Sequence, residues 1–185
     1  DSDVESLVAF PMPDIVGNPY TDVALPDSQS DNPLHFSVEV DGRAIEPTLE
    51  QRVFAAEVDV TASLLAARMP LNPFSEHAYA AVEALPKGIR DDWVVRGILF
   101  RESWDDGSGM KEHDVPYWTL KSTYWWRMNF PAGRAVDVRH RYQPSVGGIV
   151  GVNFFSDGKV QGPGYEEYKV KYCLDDAVVR AVERE

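Results

Sequence analysis

The chain contains a single cysteine, Cys173, among its 185 residues. One cysteine cannot form an intrachain disulfide, and a zinc site would need histidine and carboxylate ligands almost throughout. The neighbouring acids Asp175 and Asp176 oppose the thiolate form that a nucleophile requires. We therefore expect Cys173 to be buried, or paired with a cysteine outside this chain.

Long hydrophobic runs and basic residues are also scarce. No apolar run approaches the roughly 20 residues of a membrane-spanning helix, so no membrane insertion is predicted. The 18 Lys and Arg residues against 30 Asp and Glu give a net charge of −12. Phosphate and anionic lipid both need Lys and Arg for binding, so this charge argues against nucleic acid or a membrane surface as the partner.

Local signatures of catalysis are missing as well. The sequence has no Gly-x-Ser-x-Gly elbow, no P-loop and no His-Glu-x-x-His. The four histidines, His35, His77, His113 and His140, share no spacing. We expect neither a catalytic centre nor a cofactor. The alternative is a hydrolase in which His113 or His140 acts with acidic partners, because folding can unite distant residues.

The aromatic stretch at residues 117–148 is the strongest indicator of the fold. Alternate residues over 117–130 are apolar, which predicts a strand with one buried face: Trp118, Leu120, Tyr124, Trp126, Met128 and Phe130. Pro131-Ala132-Gly133 predicts a tight turn, and a return strand should begin near Arg134. This antiparallel hairpin would bury Val136 and Val138 and would partly bury His140.

In the rest of the chain, the spacing of apolar residues changes once from the pattern of strands to that of helices. Residues 6–11 and 34–40 read as strands, and Asp41-Gly42 predicts a hairpin whose partner strand is 44–48 or 50–58. Helical patterns follow at 62–69, at 77–85 with Ser75 as N-cap, and in a segment opened by Asp91 and Asp92. Loops are expected at 14–32 and 102–115. Beyond the hairpin we expect strands at 149–155 and 165–172, a turn at 156–159 and a helix at 174–185.

These patterns together predict an α+β, β-dominated fold. Its core would be a two-layer antiparallel sheet, sandwich-like, and a helical insertion would occupy about residues 59–100. We expect residues 1–185 to form a single domain.

Five segments together resemble a bacterial family, the domain of unknown function 4424. They are LVAFPMPDI at residues 7–15, VDGRAIEPTLEQRVFAAEVDVTASLLAARMPLNP at 40–73, WTLKSTYWWRMNFPAG at 118–133, VRHRYQPSVGG at 138–148 and YCLDDAVVRAV at 172–182. The resemblance implies a secreted or periplasmic bacterial protein and a chain that is a fragment of a longer family unit. It implies no activity.

Exposed aromatic and basic residues are the candidates for a binding surface. Tyr117 and Trp125 have the opposite parity to the core aromatics, and Arg127 follows on the same face as Trp125. Arg139 and Arg141 could clamp a carboxylate or phosphate, or could pair with acidic neighbours such as Asp137. The aromatics could equally contact a second sheet or the helical insertion. We interpret the chain as a non-enzymatic module that binds a protein or cell-envelope component.

The acidic segment 102–114 is the one candidate for a metal site. Asp105, Asp106, Glu112 and Asp114 offer the oxygen ligands that Ca²⁺ prefers. Gly107 and Gly109 stand where an EF-hand loop would need ligands, so we expect a solvated loop without a metal. A Ca²⁺-stabilised structural domain is the alternative hypothesis.

Overall fold

The computed structural model describes residues 2–20, 23–144, 146–147, 155–156 and 159–160. The chain divides into two compact units, Asp1–Ile149 and Val150–Glu185. The strands described in the first unit are β1 (Val4–Pro11), β2 (Ile15–Val16), β3 (Val23–Ala24), β4 (Ser37–Val40), β5 (Arg43–Ile45), β6 (Thr48–Ala55), β7 (Val58–Asp59), β8 (Leu99–Asp105), β9 (Met110–Pro116), β10 (Thr119–Phe130), β11 (Val138–Arg141) and β12 (Val146–Gly147). Its described helices are α1 (Thr61–Ala66), α2 (Glu76–Ala84) and α3 (Lys87–Val95). In the second unit, β13 (Phe155–Ser156) pairs antiparallel with β14 (Lys159–Val160).

Strand β10 is the centre of the main sheet, whose order is β1-β10-β6-β7. β1 pairs antiparallel along one edge of β10, with Ala9 opposite Trp125, and β2 continues that edge. β6 pairs along the other edge, with Leu49 opposite Tyr124. Paired residues of neighbouring strands share a face, so the alternation of β10 extends across three strands.

One face of this sheet is buried along β10 from Leu120 to Met128. Near the start of β10, Leu120 and Val53 pack with α1, α2 and α3 and with the completely buried Trp118. Farther along β10, Tyr124 and Trp126 pack against Phe36 and Val38. Val38 belongs to a second sheet of order β11-β4-β5. The fold is therefore α+β and β-dominated, with two antiparallel layers at one end and helices on the same face at the other.

The turns and caps explain where several elements end. Asp41 and Gly42, both with positive φ, close the predicted hairpin between β4 and β5. The Ser75 hydroxyl accepts a hydrogen bond from the His77 backbone N–H, as expected for the N-cap of α2. Helix α1 ends earlier than its predicted limit at residue 69, because Arg68 adopts φ 55° and closes the last turn.

The predicted hairpin between β10 and the following strand is wrong. β11 pairs with β4, with His140 opposite Val38 and Arg139 opposite Glu39. Both edges of β10 are already occupied by β1 and β6, so the returning chain has no edge left to join and crosses to the second layer. The burial expected for Trp118, Leu120 and Trp126 is confirmed, but Val138 is 36% exposed and Phe130 is 38% exposed.

The side chain of His140 points towards the apolar cluster as predicted, but it is more exposed than predicted. Its ring lies 4.3 Å from the ring of Phe10, on the side of the apolar cluster. The residue is nevertheless exposed, like the other three residues of β11. The reason is that β11 is the edge strand of the small second sheet and covers the cluster from outside.

The segment predicted as a loop at 102–115 is also different, because β8 and β9 form an antiparallel hairpin there. Its tip uses Gly107 and Gly109, both with positive φ. Only the end of this hairpin near Leu99 and Val115 is buried, and the rest of both strands is polar. A polar strand shows no alternation of apolar residues, so the sequence pattern does not reveal it. Likewise α3 begins at Lys87 after Pro86, so Asp91 and Asp92 lie inside the helix and do not open it.

The C-terminal predictions cannot be compared with the structure. The expected strand at 165–172, the helix at 174–185 and Cys173 lie outside the described residues.

Candidate functional site

The outer face of the main sheet carries Trp125 at its centre. This surface, the Trp125 face, forms a shallow groove of about 300 Å³ lined by Leu7, Ala9, Glu50, Thr123, Trp125 and Arg127. Trp125 is half-buried, whereas Leu7 is 55% exposed. The side chains come from β1, β10 and β6, three strands held in one hydrogen-bonded register. The face is thus an aromatic and aliphatic strip on a rigid support.

Loosely paired charged side chains border this strip. Arg127 lies 3.8 Å from Glu5, and both side chains are about two-thirds exposed. Lys121 lies 3.4 Å from Asp14 and 5.1 Å from the centre of the Phe54 ring. Exposed pairs of this kind contribute little to stability, so Arg127 can exchange its partner at low cost.

The other residues predicted to form a binding surface lie elsewhere. Tyr117 is 44% exposed and packs 5.6 Å from the ring of Phe100, next to β8. Arg139 and Arg141 lie on β11 in the second sheet, where Arg139 pairs with Asp137 at 2.8 Å. The structure therefore brings Trp125 and Arg127 together and distributes Tyr117, Arg139 and Arg141 over other surfaces.

The acidic candidates for a metal site are spread along the β8–β9 hairpin. Asp114 faces Arg101 near the buried end, while Asp105 and Asp106 lie at the tip. Arg101 and Asp105 lie four positions apart on β8, a distance of about 13 Å along the strand. At the tip, the Ser108 hydroxyl donates a hydrogen bond to the Asp106 carboxylate and lowers its pKa. Within the described ranges, no three His, Cys, Asp or Glu side chains are grouped to hold a metal ion.

Asp114 has a structural partner. Its two oxygens accept hydrogen bonds from Nε and Nη2 of Arg101 at 2.6 and 3.0 Å, and Arg101 also contacts Asp91 at 2.8 Å. These carboxylates raise the pKa of the Arg101 guanidinium, Asp114 more than Asp91. Lys87, followed by Arg101, lowers the pKa of Asp91. The network fastens α3 to the β8–β9 hairpin. Both oxygens of Asp114 are bonded to Arg101, so they are not free to bind a metal.

The histidines proposed for hydrolysis have few acidic neighbours. His113 Nε2 lies 3.7 Å from Glu83, the one carboxylate within 4 Å of it in the described part of the chain. Its ring also stacks 6.4 Å from that of Tyr79. His140 packs against Phe10 and Phe36, so its surroundings are aromatic.

A second concave surface was not predicted from the sequence. It lies at the open side of the two-layer region, between β5, β6 and the loop before β4, with an open volume of about 650 Å³. We call it the interlayer groove. Its lining consists of Ser30, Asp31, Asn32, Phe36, Ser37, Ala44, Ile45, Glu46, Pro47, Leu49 and Tyr124.

A hydrogen-bonded centre fixes the wall of the interlayer groove. Asn32 Oδ1 accepts hydrogen bonds from the Phe36 N–H and the Tyr124 hydroxyl, both at 2.7 Å. Its amide nitrogen donates to the Phe36 carbonyl at 2.9 Å. Burial, and secondarily the negative charge of Asp31, raise the pKa of Tyr124 to about 12. The hydroxyl therefore stays protonated at neutral pH and remains a donor to Asn32.

Sequence reasoning missed this groove because its walls come from four separate segments. Asn32 and Tyr124 are 92 positions apart, and residues 14–32 show only the composition of a loop. The cluster of Asp, Ser and Asn at 27–32 was the available signal, since these side chains bond local backbone groups. Asp27 does so here, accepting from the N–H groups of Gln29 and Ser30.

The three described helices have six or nine residues, and none is long and apolar enough to cross a membrane. No curated protein and no solved structure matches the chain. The family comparison does give a match, to the domain of unknown function DUF4424, over residues 1–185. The match extends over the entire sequence, including both the Trp125 face and the interlayer groove, and the chain belongs to the DUF4424 family.

Proposed function

We propose that the protein is a non-enzymatic binding module that acts in the periplasm or outside the cell. Its partner would be a protein of the cell envelope, bound at the Trp125 face. The family resemblance supports the compartment, and the outer face of the main sheet supports the binding role.

The observation that carries the proposal is Trp125 itself. Trp and Arg are enriched at the energetic centres of protein interfaces, where a rim of less important contacts excludes water. Here Trp125 lies between Leu7, Ala9 and Thr123, and Arg127 extends from the same strand face. The support is a three-stranded sheet, so little conformational entropy would be lost on binding.

The hydrolase hypothesis has weaker support. It needs a histidine within reach of acidic partners and of a substrate in a cleft. Among the described residues, His113 has Glu83 at 3.7 Å and no second carboxylate within 4 Å. Binding at the Trp125 face remains the function that the geometry favours.

The test begins with the full chain as bait in envelope extracts of the source bacterium. A candidate partner is then purified, and its affinity is measured by calorimetry. We expect Trp125→Ala to weaken binding at least tenfold, as for a central interface residue. Trp104→Ala is the matched control, because Trp104 is 48% exposed on β8, away from the Trp125 face. It should change the affinity less than threefold.

Three outcomes would contradict the proposal in whole or in part. If Trp125→Ala and Trp104→Ala lose affinity equally, or if neither loses affinity, the Trp125 face is not the binding surface. Turnover in an esterase, phosphatase and glycosidase screen that His113→Ala abolishes would establish the hydrolase. Fractionation of cells expressing the tagged full-length gene checks the compartment, and retention in the cytoplasm would refute that part.

A further inference from the structure

The interlayer groove combines apolar walls with acidic side chains that lack a cationic partner. Phe36, Ile45 and Leu49 supply the apolar surface, while Asp31 and Glu46 add carboxylates. Both acidic residues are exposed, and neither forms a salt bridge within the described part of the chain. Glu50, on the other face of β6, differs in this respect, since it lies 2.8 Å from Arg52.

Hydrogen bonds hold the backbone around Asp31 in place. Its carbonyl accepts a hydrogen bond from Gln51 Nε2 at 3.1 Å, and the same Gln51 nitrogen donates to Ser122 on β10. The next residue, Asn32, is bonded to Phe36 and to Tyr124. The backbone at residues 31–32 is thus tied to β6, to β10 and to the segment before β4, so binding of a cation would require little ordering of this loop.

The charge on Asp31 reaches into the groove. It contributes to the raised pKa of Tyr124, whose hydroxyl lies at the groove wall. The net charge of −12 adds a long-range attraction for cations, so charge complementarity selects a positive ligand. The open volume of about 650 Å³ lies within the range of small-molecule sites.

We propose that the interlayer groove binds a small organic ammonium ion, with its charged group at Asp31 and Glu46 and its apolar arm against Phe36, Ile45 and Leu49. This site is separate from the Trp125 face, which lies on the opposite side of β10. The protein would then have a small-molecule site in addition to its protein-binding surface, and each of the two proposals can hold without the other.

The experiment uses the full chain and the probe phenethylammonium, with 2-phenylethanol as the neutral analogue of the same shape. Binding is followed by backbone amide shifts in NMR titrations. We expect saturable shifts at the groove residues with phenethylammonium, weaker binding as salt is raised, and at least tenfold weaker binding of the alcohol.

Two double variants separate a local charge effect from a general one. Asp31→Asn with Glu46→Gln should weaken phenethylammonium binding at least tenfold. The control, Glu57→Gln with Asp92→Asn, removes the same charge from exposed positions outside the groove and should change binding less than twofold. A third variant, Ala44→Trp, fills the groove without altering its charge and should abolish binding.

The outcomes are decisive in either direction. No saturable binding, equal binding of the alcohol, or equal losses in the two double variants would each overturn the proposal. Preserved amide dispersion verifies folding of each variant. If the acidic double variant unfolds, Ala44→Trp decides: retained binding in that variant refutes the groove as the site.

Discussion

Trp125 and Trp126 are neighbours on β10 and have opposite environments. Trp126 is 7% exposed and packs with Phe36 and Val38 beneath the second sheet. Trp125 is half-buried on the outer face, beside Leu7 and Arg127. Since a strand sends successive side chains to opposite faces, identical residues one position apart receive different roles. One packs between the two layers, and the other lies accessible on the outer face.

The same division extends across the sheet. On the inner face, Leu120 and Tyr124 meet Val53 and Leu49 of β6, and helices or a second sheet cover them. On the outer face, the described residues of β1, β6 and β10 are exposed or half-buried. The fold therefore buries only one face of its central strand and leaves the other accessible.

The largest expected effect is that of Trp126→Ala. We expect it to lower the free energy of unfolding by roughly 3–5 kcal/mol, because a large buried aromatic would leave a cavity. Urea denaturation monitored by circular dichroism provides the measurement. A loss below about 1 kcal/mol would show that the inner face is not the core.

Replacing the two buried tryptophans by phenylalanine sharpens the comparison within the inner face. Trp118 Nε1 donates to the Leu71 carbonyl at 2.8 Å, while Trp126 Nε1 has no hydrogen-bond partner within the described residues. We expect Trp118→Phe to cost about 1–3 kcal/mol more than Trp126→Phe, since it leaves the partly buried Leu71 carbonyl unpaired. The same denaturation assay measures both variants, and equal costs would contradict the assignment of this bond.

Tyr124 provides a pH test of the inner face. Its pKa is raised to about 12, above the ordinary value of about 10 for tyrosine. The folded state therefore holds this proton longer than the unfolded state, so its stabilising contribution is complete below pH 10 and is lost as the pH rises towards 12. Absorbance titration at the tyrosinate band should show one late-titrating group that Tyr124→Phe removes. An unchanged titration curve in that variant would refute the burial.

The smallest expected effect on stability is that of Trp125→Ala. Cross-strand contacts with Ala9 and Thr48 contribute modestly, so we expect a loss of about 1 kcal/mol or less. If this variant is as unstable as Trp126→Ala, then other residues cover the outer face in solution and the Trp125 face is not a binding surface. Denaturation curves of the two variants, recorded side by side, decide the matter.

Some of the site was accessible from the sequence alone. The parity of the 117–130 segment identifies Trp118 and Trp126 as core and places Trp125 with Arg127 on the other face, because strand geometry is local. The interlayer groove was not accessible, since Asn32 and Tyr124 meet only through packing of the two layers. The pairing of Asp114 with Arg101 was hidden for a similar reason, as the polar β8–β9 hairpin lacks an apolar pattern.

The sequence by itself therefore determined the dominant strand, its buried face, the Asp41-Gly42 turn and the cap of α2. Each of these depends on backbone preferences or on side-chain alternation within a few residues. Only the tertiary structure decided which strands pair. β11 joins β4 because β1 and β6 occupy both edges of β10, and competition for edges involves residues far apart in the chain. The same long-range assembly places Asp31 and Glu46 in one groove while their charges remain without a cationic partner among the described residues.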